Sequence, residues 1–433
     1  MSLKLCHISD VHQGVGFPGP SPFSRFQDIE RVLDWTADRI IAEQCQLCLI
    51  SGDCFKDAKV MLDRASQEIA SIVKFLRRLS KAGLEVIVIS GTPSHDAVAA
   101  YDLIKEMAIK GVQIFTAPKV CYADVPKEEY KNFFPIACLP GLNRSALLTQ
   151  DEYKGLPPEQ IHRIMTDKIT QLCIGMAAQM PNDKPKILMA HMTYQGADTG
   201  FQDLLMQHEP VLTREAVAGF DLVCLGHIHR PQQIDDKVFY SGPVERLSFS
   251  EENITPGFWN HEIEPDLEIK NSQEYLIDLN GKAGFLKSTP YQLPNHYQVY
   301  TSQFIETPAR RYVTKDLNEE QVKNALLYSD NPRFYFGTIV QDAIIRLRYS
   351  CSEDVAKQLN RKQLEQSLYD AGAFYISEIK ADIQRVDRAR DTTVNESLTV
   401  PQALGKWCAN QGIEAEETAA LQAMTAELME SGV

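Results

Sequence analysis

Residues 3–12 read LKLCHISDVH, an apolar run that leads directly into an aspartate and a histidine one residue apart. A short apolar run without alternation is typical of a buried strand in a parallel sheet. Asp10 and His12 follow this predicted strand at its carboxyl end. In an open α/β sheet, ligand-binding residues gather at that edge, because the strands end there and the loops are free to vary. The stretch therefore predicts both a buried sheet and the position of a site.

The same succession of apolar strand and polar residue recurs along the chain. Further strands are predicted at 47–51, 85–90, 186–192 and 221–226, and a helix at 26–44. Strands that alternate with helices predict an α/β sandwich, with helices covering the sheets. The polar segments that follow or end the strands are Asp10-x-His12, Gly52-Asp53, His95-Asp96, His191 and Gly226-His227-x-His229. Five of the ten histidines lie in these segments, which packing alone does not explain.

The residue types in these segments point to metal chemistry. Hydrolysis of a phosphate ester needs an activated water and a counter-charge for the phosphoryl oxygens, and two metal ions about 3.5–4 Å apart supply both. Mixed imidazole and carboxylate ligands suit manganese, iron or zinc better than magnesium or calcium. We therefore expect two divalent metal ions, with manganese preferred.

Composition places few limits on function. The 433 residues are enough for two or three domains, and 44% apolar with 24% charged residues is ordinary for a soluble protein. No apolar run approaches the ~20 residues of a membrane span, and the N-terminus lacks a signal peptide, so we expect a cytoplasmic protein without membrane contact. The net charge of −14 disfavours indiscriminate nucleic-acid binding, although bound cations can still bring phosphates to an acidic site. The cysteines, including the Cys45-x-x-Cys48 pair, are predicted to be buried thiols rather than zinc ligands.

The order of these motifs resembles the calcineurin-like metallophosphoesterase superfamily, whose blocks are D-x-H, GD, GNH-D/E, H and GH-x-H. The resemblance implies a four-layer α/β/β/α sandwich. It also implies two metal sites. Asp10, His12 and His229 would hold one ion, and His191 and His227 would hold the second. Asp53 would bridge the two ions. His95 would be the catalytic proton donor or charge stabiliser near the leaving group, oriented by Asp96.

The third block departs from the family pattern. The family has Gly-Asn-His, with the asparagine on the second metal ion. Here the block is longer by two residues and has no asparagine, and it reads Gly91-Thr92-Pro93-Ser94-His95-Asp96. Ser94 occupies the place before the histidine and is the predicted ligand there, although a hydroxyl is a poorer neutral ligand than an amide oxygen.

Three later segments narrow the resemblance to SbcD-type DNA exonucleases. They are YSGPVERLSFSEEN (240–253), PGFWNHEIE (256–264) and ETPARRYV (306–313). The likeness implies a DNA nuclease of repair and recombination, with exonuclease and some endonuclease activity. It further implies an SbcC-type ATPase partner and a homodimer within a heterotetramer. Two other functions stay open: a phosphodiesterase or phosphatase that acts on a small molecule, and a DNA-binding scaffold with weak catalysis.

Three domains are predicted along the chain. Residues 1–280 would form the nuclease domain, 281–390 a small α+β capping domain that contacts DNA, and 391–433 a helical tail that binds the partner. Residues 310–390 hold fourteen Lys/Arg against twelve Asp/Glu, so this part is mildly basic while the whole chain is acidic. In the tail, apolar residues have the spacing of a helix that enters a groove, with Leu421, Met424 and Leu428 as one set and Leu404 and Trp407 as another.

A helix predicted around 60–80 carries apolar residues at alternating steps of three and four. This seam consists of Leu62, Ala65, Ile69, Ile72, Leu76 and Leu79. Such a seam either packs on the sheet of its own domain or forms a homodimer contact, and the pattern alone allows both.

Overall fold

The computed structural model describes residues 3–58, 62–94, 96–126, 131–142, 156–200, 209–265, 297–327, 336–384 and 398–430. His95, a predicted catalytic residue, lies outside this set. So do the predicted domain boundaries at 280 and 390.

The described residues contain fifteen strands in chain order. They are β1 (Leu3–Ile8), β2 (Leu47–Ser51), β3 (Glu85–Ile89), β4 (Val112–Phe115), β5 (Lys119–Pro126), β6 (Lys131–Leu139), β7 (Ile187–His191), β8 (Leu222–Gly226), β9 (Gln232–Gln233), β10 (Val238–Tyr240), β11 (Gly257–Pro265), β12 (Tyr297–Glu306), β13 (Tyr312–Leu317), β14 (Ile344–Ser352) and β15 (Tyr375–Gln384).

Ten α-helices and two short 3₁₀-helices occur in the same part of the chain. The α-helices are α1 (Ser24–Ala42), α2 (Leu62–Lys81), α3 (Val98–Glu106), α4 (Pro158–Gln179), α5 (Arg214–Val217), α6 (Glu319–Leu327), α7 (Glu353–Gln358), α8 (Arg361–Asp370), α9 (Val400–Gln411) and α10 (Ala415–Glu430). The 3₁₀-helices are Phe249–Glu251 and Gly337–Val340. None of the helices described combines the length and apolarity that a membrane span requires.

Two six-stranded sheets form the larger part of the molecule. The first has the order β12-β11-β1-β2-β3-β4 and the second β5-β6-β7-β8-β10-β9, with the central strands of each parallel. Helices α1, α2 and α3 cover the outer face of the first sheet, and α4 and α5 cover that of the second. A third apolar layer fills the space between the sheets. The predicted four-layer α/β/β/α sandwich is confirmed.

The cysteines contribute to these cores. All ten are buried and none forms a disulfide, as predicted. Burial raises the pKa of the thiols of Cys54 and Cys224, because the thiolate loses its hydration.

The apolar seam of α2 packs on the first sheet of its own domain. Four of the seam residues whose side chains are described are nearly inaccessible, namely Ile69, Ile72, Leu76 and Leu79. Each of these four side chains is at most 7% exposed, so the seam as a whole faces its own sheet. The structure therefore supports the first of the two interpretations of this seam.

A smaller sheet with the order β13-β14-β15 is parallel throughout and has its own apolar core with α6, α7 and α8. We call residues 312–384 the cap. Helices α7 and α8 are separate, because the side chain of Asn360 accepts hydrogen bonds from the backbone of Lys362 and Gln363 and starts α8 anew. A 3₁₀-helix occupies 337–340, and strand β14 begins after it, at Ile344.

A buried ionic cluster joins the cap to the sandwich. The guanidinium of Arg310 donates two hydrogen bonds, of 2.7 and 2.6 Å, to the two carboxylate oxygens of Asp28 in α1. Its backbone N–H donates to Glu245 (2.9 Å), and its side chain stacks 3.5 Å from the ring centroid of Phe374 in the cap. Arg25, which is wholly buried, pairs with both carboxylates. The 240–253 and 306–313 segments of the nuclease resemblance meet in this cluster.

We expect Arg310→Ala to lower the free energy of unfolding by about 3–5 kcal/mol, because it removes a cation from the buried carboxylate of Asp28. The neighbouring Arg311→Ala is the matched control. Arg311 is exposed and its guanidinium donates to the carbonyls of Thr338 and Gln341, so its loss should cost about 1 kcal/mol. Urea denaturation measures both. Equal losses in the two variants would contradict a structural role for the buried cluster.

Candidate metal centre

The polar residues that follow the strands converge where β1, β2, β7 and β8 end. Seven non-glycine residues of the described chain have positive φ, and four of them are predicted metal ligands: Asp10 (52°), His12 (48°), Asp53 (50°) and His227 (92°). This region of φ costs of order 1–3 kcal/mol for such residues, and it persists only where the surroundings enforce it. Here the backbone of Asp10 donates to Gly52 and that of His12 donates to Asp53. Strain of this kind concentrates at functional sites.

Asp10, His12 and His229 form the first ligand group. One donor atom from each lies within 4.8 Å of the others. The Nε2 atoms of His12 and His229 face each other at 3.1 Å, and Nε2 of His229 lies 3.8 Å from Asp10. Two imidazole nitrogens that point at one another beside a carboxylate suit a shared cation. The structure brings together all three residues predicted for one metal ion.

Asp10, Asp53 and His191 form a second group with the same spacing. One carboxylate oxygen of Asp53 lies 3.4 Å from Nε2 of His191, and the other lies 3.6 Å from Nε2 of His12. Asp53 therefore lies between the histidine of the first group and that of the second. This is the position that a bridging ligand requires.

His191 has a ring nitrogen directed into the site. Its Nδ1 lies 2.7 Å from the carbonyl oxygen of Ser51, the contact that fixes which nitrogen carries the hydrogen. Its Nε2 is buried and makes no hydrogen bond within the described residues. Metal-ligating histidines commonly have one nitrogen bound to a carbonyl or carboxylate and the other free for the ion. His191 fits that arrangement.

His227 lies beside His191, with ring centroids 5.2 Å apart. Its backbone N–H donates to Asp10 (3.1 Å), and its Nε2 lies 2.6 Å from the carboxylate of Glu209. The remaining nitrogen, Nδ1, faces the hydroxyl of Thr92 at 3.4 Å. Glu209 is a contact that sequence reasoning did not foresee, because it lies in the loop before α5 and in none of the five motifs.

Thr92 is a second residue that sequence reasoning missed. It directly follows Gly91, and its backbone N–H donates to Asp53 (2.9 Å). Ser94, the predicted ligand, is exposed, whereas the Thr92 hydroxyl is the one that faces His227. Thr92 could have been found by aligning the family block from its glycine, because the position after that glycine is the asparagine. Aligning the block from its histidine gave Ser94 instead, and Ser94 as a ligand stays a prediction.

Asp96 is buried behind the site. It accepts hydrogen bonds from the backbone of Phe55 (3.2 Å) and Gly91 (2.6 Å) and from the hydroxyl of Tyr101 (2.6 Å). Burial and the nearby Asp53 carboxylate together raise the pKa of Asp96 to about 7, although these hydrogen bonds act in the opposite direction. Asp96 thus ties the loops after β2 and β3 together. The predicted orientation of His95 by Asp96 concerns a residue outside the described part of the chain.

Glycine is required where these loops meet the bridging carboxylate. A Cβ on Gly91 would lie 1.7 Å from the Asp53 carboxylate oxygen. Gly52 has φ of +92°, and a Cβ there would lie 2.3 Å from Nδ1 of His191. The close approach of backbone to ligand explains both residues.

The carboxylates set the charge state of the histidines. Burial lowers the pKa of His191, but Asp53 and Asp10 outweigh it and raise the value to about 10. For His229, burial is likewise outweighed, here by the hydrogen bond to Glu251 and by Asp10, and its pKa rises to about 9. The site therefore attracts positive charge, whether protons or metal ions. Its buried mixture of imidazoles and carboxylates fits divalent metal ions, which supply a counter-charge and an activated water for phosphoester hydrolysis.

We expect the affinity for a divalent ion such as manganese to rise between pH 6.5 and 8.5, because the raised pKa values leave protons on His191 and His229 that the ion must displace. The rise should be about tenfold per pH unit for each proton released. Calorimetry in two buffers of different ionisation enthalpy counts the released protons. An affinity that does not change with pH would contradict protonated histidines at this site.

Several known proteins are similar to this chain. The family model described as calcineurin-like phosphoesterase matches residues 3–231, more than half of the chain. A curated relative, the SbcD subunit of the nuclease SbcCD of Staphylococcus epidermidis, is 25% identical over 293 residues, which cover 63% of this chain and 67% of that protein. A dimetal phosphatase from Danio rerio is 12% identical over 60% of this chain and 92% of its own, with a TM-score of 0.32. A structure from Thermus thermophilus is 13% identical over 60% of this chain and 94% of its own, with a TM-score of 0.32. The chain belongs to the calcineurin-like phosphoesterase family.

Proposed function

We propose that this protein is a two-metal DNA nuclease that hydrolyses phosphodiester bonds in repair and recombination with an SbcC-type ATPase. The observation that carries the proposal is the carboxylate of Asp53 between His12 and His191, 3.6 and 3.4 Å from their Nε2 atoms. A carboxylate between two imidazole groups suits two cations better than one. The manganese preference expected from the donor set belongs to this proposal.

In this proposal the ligands divide as the family resemblance implies. Asp10, His12 and His229 would hold one ion, and His191 and His227 would hold a second, with Asp53 between the two groups and a hydroxyl of Thr92 or Ser94 nearby. His95 would be the proton donor for the leaving oxygen, and Asp96 would fix the loop that carries His95. Each of these residues then acts by positioning charge or moving a proton at the phosphate.

DNA as the substrate is supported by the relative from the SbcCD nuclease and by the placement of the cap. The Arg310 cluster fixes the cap against the sandwich. The longer stretch 310–390, which contains the cap, carries a slight excess of Lys and Arg. Contacts from basic residues to phosphates position a duplex without reading its sequence, which suits a nuclease with exonuclease and some endonuclease activity.

The test is manganese-dependent digestion of linear duplex DNA by the wild type and by Asp53→Ala. We expect the variant to keep a native circular dichroism spectrum and to lose at least about 10²–10³-fold in rate, the scale for removal of one strong electrostatic group from an active site. Asp102→Ala, at an exposed carboxylate of α3, is the matched control and should match the wild type.

The same assay separates the alternatives. Hydrolysis of an aryl phosphodiester by the wild type without digestion of DNA would favour a small-molecule phosphodiesterase. DNA binding without hydrolysis of either substrate would favour a scaffold. Near-normal digestion by Asp53→Ala would rule out the proposed site.

For a homodimer, the structure offers a surface beside the α2 seam, with Ile69 of the seam at its edge. A groove of about 450 Å³ lies between α2 and α3. It is lined by Ala70, Val73, Leu103 and Met107 among others, and Leu103 and Met107 are 45% and 39% exposed. An exposed apolar groove on the sandwich is the surface that we propose for contact with a second copy.

For the ATPase partner, the proposed surface is the pair α9 and α10. The two helices pack on each other, with Cys408 buried between them. Trp407, Met424 and Leu428 are more than half exposed. Exposed anchors on a helical pair suit binding in the groove of a coiled-coil partner.

We expect deletion of 391–433 to leave the melting temperature and basal nuclease activity of the rest of the chain unchanged, because α9 and α10 pack on each other. Co-purification with an SbcC-type ATPase should be lost. Trp407→Ala in the full chain should weaken co-purification in the same direction. A large fall in melting temperature on deletion would instead show that the tail belongs to the core of the protein.

A further inference from the structure

The 3₁₀-helix after β10 contacts a predicted metal ligand. The carboxylate of Glu251, which is 2% exposed, lies 2.7 Å from Nδ1 of His229. Its other oxygen accepts a hydrogen bond from the backbone of Leu247 (2.7 Å). A carboxylate that accepts the Nδ1 hydrogen leaves Nε2 of the imidazole as the atom for a metal ion. That atom is the one that faces Asp10 and His12.

The same short helix is held by the cap on its other side. Glu252, the residue after Glu251, accepts hydrogen bonds from both the backbone N–H and the hydroxyl of Thr314 in β13, each of 2.6 Å. The ring of Phe249 packs edge-on against Tyr312 of the same strand, at 4.9 Å between centroids. The guanidinium of Arg346 in β14 lies 3.9 Å from the centroid of the Phe249 ring.

We propose that the cap positions His229 through residues 249–252, so that the docking of β13 sets the affinity for the metal ion held by Asp10, His12 and His229. The inference rests on the proposed metal site. Glu251 and Glu252 are adjacent in one helical turn, and one contacts the ligand while the other contacts the cap. Their carboxylates cannot shift independently, because each is fixed by two hydrogen bonds or close polar contacts.

The linkage is selective for one of the two ligand groups. Its last member is His229, which contacts Asp10 and His12. His191 is held by Ser51 of the first sheet and His227 by Glu209, and neither of these contacts involves the cap. Loss of the cap contact should therefore lower the affinity for the ion near His229 and leave the affinity for the other ion unchanged. If residues 249–252 only stabilised the fold, this selectivity would be absent.

The test uses the full chain and three variants. Thr314→Val removes the hydroxyl donor while keeping side-chain shape and a residue suited to a strand. Thr314→Ser keeps the hydroxyl and is the matched control. Glu251→Gln removes the charge on the His229 partner. Manganese is titrated calorimetrically into the metal-free proteins, and thermal melting verifies that each is folded.

We expect Glu251→Gln to weaken one manganese site about 10–100-fold, as for other partners of metal-ligating histidines. Thr314→Val should weaken the same site about 3–10-fold. The hydrogen bond that it removes goes to the charged Glu252, which contacts the ligand His229 only through the adjacent Glu251. Thr314→Ser should bind as the wild type does, and the second site should be unchanged in all three variants.

Two results would overturn the linkage while leaving the nuclease proposal intact. One is that Glu251→Gln weakens manganese binding while Thr314→Val, although folded, binds manganese at both sites as the wild type does. The other is equal weakening of both sites in Thr314→Val. If the wild type bound no manganese, the proposed function would fail and the linkage with it.

Discussion

The carboxylate of Asp53 lies between imidazoles that belong to opposite sheets. His12 follows the first strand of one sheet, and His191 ends a strand of the other. The glycine at 91 and the left-handed conformation of Asp53 itself are the local conditions for this approach. A buried carboxylate surrounded by histidines is costly unless cations neutralise it. Positive charge, from protons on the histidines or from metal ions, therefore stabilises the arrangement of side chains where the two sheets converge.

The charge arrangement around the site extends into the cap by two routes. One is the buried cluster of Arg310 with Asp28, which fixes the cap on the sandwich. The other is the turn of Glu251 and Glu252, which reaches from the cap to His229. Arg310 lies in the segment 306–313, and Glu251 and Glu252 lie in the segment 240–253. The segments that resemble SbcD-type nucleases therefore contribute residues to both contacts between cap and sandwich.

Much of the fold could be predicted from the sequence, because buried parallel strands are short apolar runs and their carboxyl ends carry the candidate metal ligands. The residues at 10, 12, 53, 191 and 229 met as the motif order implied. Contacts made by loops could not be predicted in this way. Glu209 and Glu251 reach histidines along paths that no local pattern specifies, and Thr92 was passed over because the insertion before His95 can be aligned from either end.

The α2 seam shows a different limit. An apolar stripe at steps of three and four is the same whether it faces a sheet of its own domain or a second chain. The burial of Leu76 and Leu79 shows that the seam packs on the sheet of its own domain. Only the tertiary structure carries that information.

The most direct test of the two-metal site is anomalous diffraction from crystals soaked in manganese, with data collected at the manganese edge. We predict two peaks about 3.5–4 Å apart. One should lie among Asp10, His12 and His229, the other beside His191 and His227, with Asp53 contacting both. A single peak on one side of Asp53, or no peak within reach of its carboxylate, would contradict the two-metal site.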